Sequence, residues 1–250
     1  FFTRTSLVQY FERCVDRAEP MLVMHRNLHG AYLQRRQPEY SEHLRAADMV
    51  YADGMPFVWL ARSCGVDVGS QDRTTYLDWE DGFFQTATTR GWRVFFVGGT
   101  PDALAQGLAS LRAQYPDVPV DGVDGYFDQT PGGEANRAVI AAANAFDATV
   151  VFVGMGMPIQ ERWAAATRSQ LQAPLVITFG AGLDYRSGVA KVPPRWLGDL
   201  GLEWLGRLAA DPGRLWKRYL YEPLFVLGPA LADLRRHRGR GSLNGSSQAG

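Results

Sequence analysis

Asp53 stands at the end of a strand, where a carboxylate caps the following helix or takes a proton. Residues 46–52 read as a strand that runs directly into Asp53-Gly54-Met55-Pro56 and a helix through Arg62. Gly54 lets another group approach closely, and a carboxylate within hydrogen-bond reach of a hydroxyl can act as a general base. The other reading is that Asp53 caps the helix. A second polar cluster, His25-Arg26-Asn27, ends the short apolar strand at 21–24. Asn27 is either a site residue, by its place at the carboxyl end of a strand, or the cap of the next helix. His25 and His29 have the four-residue spacing of helical metal ligands, but no third ligand stands nearby and no metal is expected there.

Two glycine turns add candidate anion sites. Gly154-Met155-Gly156-Met157-Pro158 opens a helix carrying Gln160 and Glu161 in its first turn, and Gly98-Gly99-Thr100-Pro101 opens another. Thr100 is a good cap and proline a good first helical residue, so each turn presents unpaired backbone N–H groups that attract anions. Neither turn matches the dinucleotide pattern G-x-G-x-x-G, because position 159 is Ile, and a standard nicotinamide enzyme is disfavoured.

The elements that must carry these residues alternate. The central stretch, 147–188, reads as strand, glycine turn, helix, strand and glycine turn. Before it come a helix through Arg17 capped by Thr5 or Ser6, strands at 21–24, 46–52, 92–97 and 118–123, and helices ending near 62, 91, 115 and 146. This order implies an α/β fold, a Rossmann-like mostly parallel sheet with helices on both faces and ligands at the strands' carboxyl ends.

The chain is long enough for one such domain, residues 1–190, with a helical appendage at 191–240 and a Gly/Ser-rich disordered tail at 241–250. Formal net charge is zero, which argues against a general nucleic-acid binder. From Arg186 onward, however, eleven Lys and Arg face five Asp and Glu. Within 193–227, Trp196, Trp204, Trp216 and a leucine stripe accompany Arg207, Arg214, Lys217 and Arg218. A basic, aromatic, amphipathic stretch of this kind lies on an anionic membrane, or else it packs on the core with a solvated basic face. No segment reaches the roughly 20 apolar residues of a membrane span, and the first residues lack a signal-peptide pattern. Cys14 and Cys64 read as reduced packing residues of a cytoplasmic protein.

The blocks ADGMPFVWLAR, VFFVGGTPDAL, DGYF, VGMGMPIQERW, FGAGLDYRSGVAKVPPRW and GLEWLGRLAADPGRLWKRYL, in this order across residues 21–225, resemble the WecG/TagA/CpsF family of bacterial glycosyltransferases. The resemblance implies an inverting enzyme that moves a hexose or N-acetylhexosamine from a UDP-sugar to a polyprenyl-diphosphate-linked sugar. It would work on the inner face of the cell membrane, in cell-surface or exopolysaccharide synthesis. Asp53 would be the base and Gln160 a catalytic-site residue. His25, Asn27 and Asp78 would line the substrate pocket with the turn residues Gly98, Gly99, Thr100, Gly154, Gly156, Pro158 and Glu161, and with Gly182 and Asp184 after the last strand. Arg207, Arg214 or Arg218 would stabilise the diphosphate. No cofactor is expected. No two aspartates form the D-x-D pair with which many transferases bind a metal, and helix N-termini with tail arginines can supply the positive field instead.

Three positions depart from the family pattern. His25 stands where many members have threonine, Tyr76 where many have glycine, and Ile159 where lysine is usual. The first two leave less room for an N-acetyl group, so UDP-glucose is a donor to consider. Two other classes stay open: a nucleotide-sugar hydrolase or epimerase on the same fold, and a membrane-associated scaffold that has lost catalysis.

Overall fold

A computed structural model of the chain describes residues 3–17, 20–69, 72–226 and 228. The 241–250 tail and Arg235, Arg236, Arg238 and Arg240 lie outside the described residues.

The described residues form one six-stranded sheet, and every strand pair in it is parallel. In chain order the strands are β1 (Met21–Arg26), β2 (Met49–Ala52), β3 (Val94–Gly98), β4 (Val120–Val123), β5 (Val150–Gly154) and β6 (Leu175–Thr178). Their spatial order is β2-β1-β6-β5-β3-β4. Both faces of the sheet are buried, and the alternation of side chains shows it. Val23, Val94, Phe96, Val150, Phe152, Leu175 and Ile177 enter one apolar cluster. Their neighbours Leu22, Met24, Phe95, Val97, Val151, Val153 and Val176 enter the other. Continuous apolar strands between two helical layers are what a fully covered parallel sheet requires.

One layer contains α1 (Arg4–Arg17), α5 (Tyr76–Arg90) and α6 (Pro101–Gln114). Trp79, Phe83 and Phe152 pack together at its centre, Trp79 stacked on Phe152 and Phe83 edge-on to both, with ring centroids 5.0–6.1 Å apart. The other layer contains α2 (Leu28–Arg36), α3 (Pro38–Arg45), α7 (Glu134–Ala145) and α8 (Ile159–Thr167). The helix α4 (Met55–Ser63) follows β2, and the short α9 (Gly182–Arg186) follows β6. Beyond it come α10 (Arg195–Asp199), α11 (Glu203–Ala210) and α12 (Pro212–Trp216), the last continuing through a π-helical turn at Lys217–Tyr221.

Several boundaries differ from expectation. Helix α1 is capped by Thr3, whose Oγ1 accepts from Ser6 N at 3.3 Å, and not by Thr5 or Ser6. Strand β2 begins only at Met49, because Ala46 closes α3 through hydrogen bonds to Glu42 and His43 carbonyls. Cys14 is buried as expected, whereas Cys64 is exposed at the end of α4; both thiols are free.

A candidate active site at the carboxyl edge of the sheet

A cleft of about 670 Å³ opens across the carboxyl ends of β1, β2, β3, β5 and β6. At the β1 end, His25 is tied to β6: its Nδ1 lies 3.0 Å from Thr178 O, and its backbone N donates to Thr178 Oγ1 at 3.2 Å. A carbonyl oxygen only accepts, so Nδ1 carries the hydrogen in that contact. Nε2 then faces the Gly180 turn. His25 is on a strand and His29 on α2, so their four-residue spacing does not put them on one helical face. Among the described residues no three His, Cys, Asp or Glu side chains gather as a metal site.

Asn27 caps α2 and also lines the cleft. Its Oδ1 accepts from Gly30 N at 3.1 Å, starting α2, and the amide so oriented donates from Nδ2 to Asp53 Oδ2 at 3.2 Å. Asp53 itself caps nothing. Gly54, at φ 86°, is the N-cap of α4, and that helix has no side-chain cap bond. The Asp53 carboxylate therefore stands in the cleft wall.

Gln160 is fully buried beneath the cleft. Its Oε1 accepts from Gly180 N at 3.2 Å, and its Nε2 donates to Glu161 Oε1 at 2.8 Å, so it fixes the turn after β6. Some of the N–H groups expected to hold an anion at the two glycine turns are bonded within the protein. The Gln160 N–H bonds Gly156 O at 2.9 Å, and the Glu161 carboxylate lies at the start of α8, where it offsets the helix dipole. At the other turn, Thr100 Oγ1 caps Ala103 N at 3.1 Å and Pro101 has no N–H. Glu161 does not line the cleft. Burial pushes its carboxyl up, opposed by the charge of His25 and the Gln160 hydrogen bond, and its Oε2 has no hydrogen-bond partner.

The remaining expected residues divide in two. Gly99, Thr100, Gly154, Gly156 and Asp184 line the cleft. Gly98, Pro158, Gly182 and Asp78 do not. Gly98 packs directly on Gly154, where a Cβ would overlap the Gly154 carbonyl, and Gly182 packs as tightly on the Phe179 ring. Pro158 is the N-cap of α8. Asp78 braces the start of α5, accepting from Thr75 N at 3.1 Å and Arg73 Nη2 at 3.0 Å.

Arg207 and Arg218 reach the same wall from the C-terminal helices. The Arg207 guanidinium lies 5.3 Å from the centre of the Tyr185 ring. Arg214 falls on α12, but its side chain lies outside the described residues. Tyr76, noted above as a departure, lines the cleft. The sequence did not single out Tyr51, Tyr126 or Tyr185, which line it too. An aromatic beside a strand-end turn was the available signal for Tyr126, whose ring is 78 % exposed at the mouth.

On the far side of Asp53 the wall changes character. Asn27, Asp53, Arg207 and Arg218 also border a narrow cleft of about 50 Å³, walled mainly by Leu28, Met55, Pro56, Phe57, Trp204 and Tyr219, with Arg73 and Glu203 at its edge. Leu28, Pro56, Trp204 and Tyr219 in turn border an outer groove of about 420 Å³ with Trp59, Leu60 and Pro223. The carboxylate thus stands between a polar chamber and an apolar path. The sequence model of the WecG/TagA/CpsF glycosyl transferase family matches residues 2–240 of the 250. The chain belongs to that family. Membership makes it a glycosyltransferase, with a nucleotide-sugar donor and a sugar acceptor. The match extends through the C-terminal helices, so the segment carrying Arg207 and Arg218 is part of the WecG/TagA/CpsF unit.

Proposed function

We propose that the chain is an inverting glycosyltransferase with Asp53 as general base, using a UDP-sugar and a sugar carried on a polyprenyl diphosphate. The observation that carries this reading is the position of Asp53 in the wall shared by the polar cleft and the apolar path. The larger cleft has the volume of a small-molecule site, about 300–1,000 Å³. The donor takes this cleft, with Tyr126 offering a ring face for a base to stack on. The acceptor's lipid runs along Trp59, Leu60, Trp204 and Pro223. Its sugar hydroxyl attacks the donor's anomeric carbon as Asp53 removes the proton. The bond from that carbon to the diphosphate breaks, and the diphosphate leaves with the electron pair opposite Arg207 and Arg218.

Asn27 holds Asp53 by one oxygen and leaves the other for the acceptor. The two arginines offer the charge neutralisation that a metal supplies in other transferases, so metal independence belongs to this reading. Trp196, Leu200, Leu205, Trp216, Leu220 and Leu224 are exposed on the C-terminal helices near Lys217. They favour the membrane-surface reading of this segment over plain packing on the core. No helix of the described residues is long and apolar enough to cross a membrane, so attachment by this face would be peripheral, on the membrane's inner side. His25 and Tyr76 fill space beside the donor's sugar, which favours a hexose such as glucose over an N-acetylated sugar.

The test is transfer from a panel of UDP-sugars to a short-chain lipid-diphosphate sugar, with and without chelator. Consumption of one donor only when acceptor is present is the expected result. Donor hydrolysis without acceptor would replace this reading with the hydrolase. Activity lost to chelator and restored by magnesium or manganese would remove metal independence.

A further inference from the structure

Arg207 comes to the cleft from outside the α/β layers, and what holds it there is a chain of buried charges. Glu203, the first residue of α11, is 8 % exposed. Its Oε1 accepts from Arg207 Nε at 3.0 Å and from Arg207 Nη2. Its Oε2 stands 3.6 Å from Nη1 of Arg73, which is 2 % exposed in the loop before α5. Arg73 Nη2 in turn donates to Asp78 Oδ1 at 3.0 Å. The chain Asp78–Arg73–Glu203–Arg207 therefore runs from the braced start of α5 to the wall beside Asp53. Neither Glu203 Oε2 nor Arg73 Nη1 has a hydrogen bond, so each depends on the facing charge. Two glycines let the C-terminal segment come this close. A Cβ at Gly198 would lie 2.7 Å from Arg73 Nη1, and one at Gly201 would lie 2.8 Å from the Trp59 ring.

We propose that Glu203 is a positioning residue: a latch that docks α11 on Arg73 and aims the Arg207 guanidinium at the cleft. The inference rests on the reading above, in which Arg207 faces the departing diphosphate. On this proposal Glu203 acts through Arg207, to which it is bonded, although its side chain also borders the narrow cleft. Removing its charge leaves Arg207 present but unaimed, and a misplacement of about 1 Å in such a group can cost about 100-fold in rate.

The test uses the full chain with Glu203→Gln, Arg207→Ala and the double variant. Glu203→Gln is expected to lower kcat about 100-fold with donor KM little changed. In the Arg207→Ala background it should have no further effect, because a residue that acts through another is silent once that other is gone. Losses that multiply in the double variant, or an unchanged kcat, overturn the proposal. Amide hydrogen exchange read on residues 203–210 is independent of turnover. Faster exchange there in Glu203→Gln, with the sheet unchanged, is expected, and unchanged exchange overturns the latch. If the wild type moves no sugar from any donor, the transferase reading fails while the exchange experiment still decides the latch.

Discussion

The wall around Asp53 has two sides held by different physics. On one side, Asn27 and Asp53 sit at the ends of parallel strands and Gln160 in the first turn of α8. Backbone ladders, a helix cap and the Gly180 turn fix their side chains. On the other side, Arg207 and Arg218 arrive on short helices that the sheet does not pair with. These are docked by the Arg73–Glu203 pair, a His29–Glu222 contact of 2.6 Å and Val226 packed with Ala31 and Leu60. On the proposed reading, proton removal falls to a rigid frame and charge neutralisation to a docked segment. A docked segment can admit a bulky lipid-linked acceptor and then complete the site, which a frame of strand ends cannot do.

The sharpest way to break this division is to disable each side alone. Asp53→Asn keeps the shape and the Asn27 contact but removes the base, and kcat should fall about 1,000-fold, within the span of general-base effects. UDP affinity measured by calorimetry should not change. Near-wild-type turnover would remove Asp53 from the chemistry. Arg207→Ala should cost about 100-fold in kcat, the lower end for loss of one charge-stabilising donor. If UDP affinity fell by as much as kcat, Arg207 would bind ground state and leaving group alike, and the division would blur.

Asn27 separates structure from catalysis within the frame itself. Asn27→Ala removes the α2 cap at a cost of about 1 kcal/mol, or about 3 °C in Tm for a chain of this length. Asn27→Ser keeps a capping oxygen but no longer reaches Asp53. The serine variant should therefore recover most of the Tm and none of the activity, which we expect to drop about tenfold through the freed Asp53 carboxylate. Recovery of both would make Asn27 a cap alone.

How far each side could be read from sequence follows from the same contrast. The frame is local: the alternation at Val94–Gly98 and Val150–Gly154 writes two buried faces into consecutive residues, and a strand running into Asp-Gly or Arg-Asn marks its own carboxyl end. At Asn27 the cap does not exclude a contact with Asp53, because one amide has both a donor and an acceptor end. The two histidines share no helical face because a strand boundary falls between them. At the glycine turns, which N–H groups stay free for an anion is a tertiary detail that depends on Gly156 O, Thr100 Oγ1 and a carboxylate at position 161. Arg73 and Glu203 were invisible, because they are 130 residues apart in sequence and no local pattern marks a pair brought together only by docking.

The smallest expected effect lies deep in the frame, at Glu161. Burial raises its carboxyl above the ordinary 4.5, and His25 and Gln160 only partly oppose this. A folded value above the unfolded one means that the folded state holds the proton more tightly. The stability this contributes is complete below about pH 4.5 and is lost as pH rises through the folded value. A glutamine has no proton to lose, yet its oxygen still accepts from Gln160 Nε2. The Tm of Glu161→Gln relative to wild type should therefore climb between about pH 4 and pH 8. Turnover at neutral pH should change little, because Gln160 still holds the Gly180 turn. A Tm difference flat across that range would mean that Glu161 is ionised in the fold with an ordinary affinity for its proton. A large loss of turnover would instead mean that the carboxylate's charge, and not only its hydrogen bond to Gln160, is what the frame side of the wall needs.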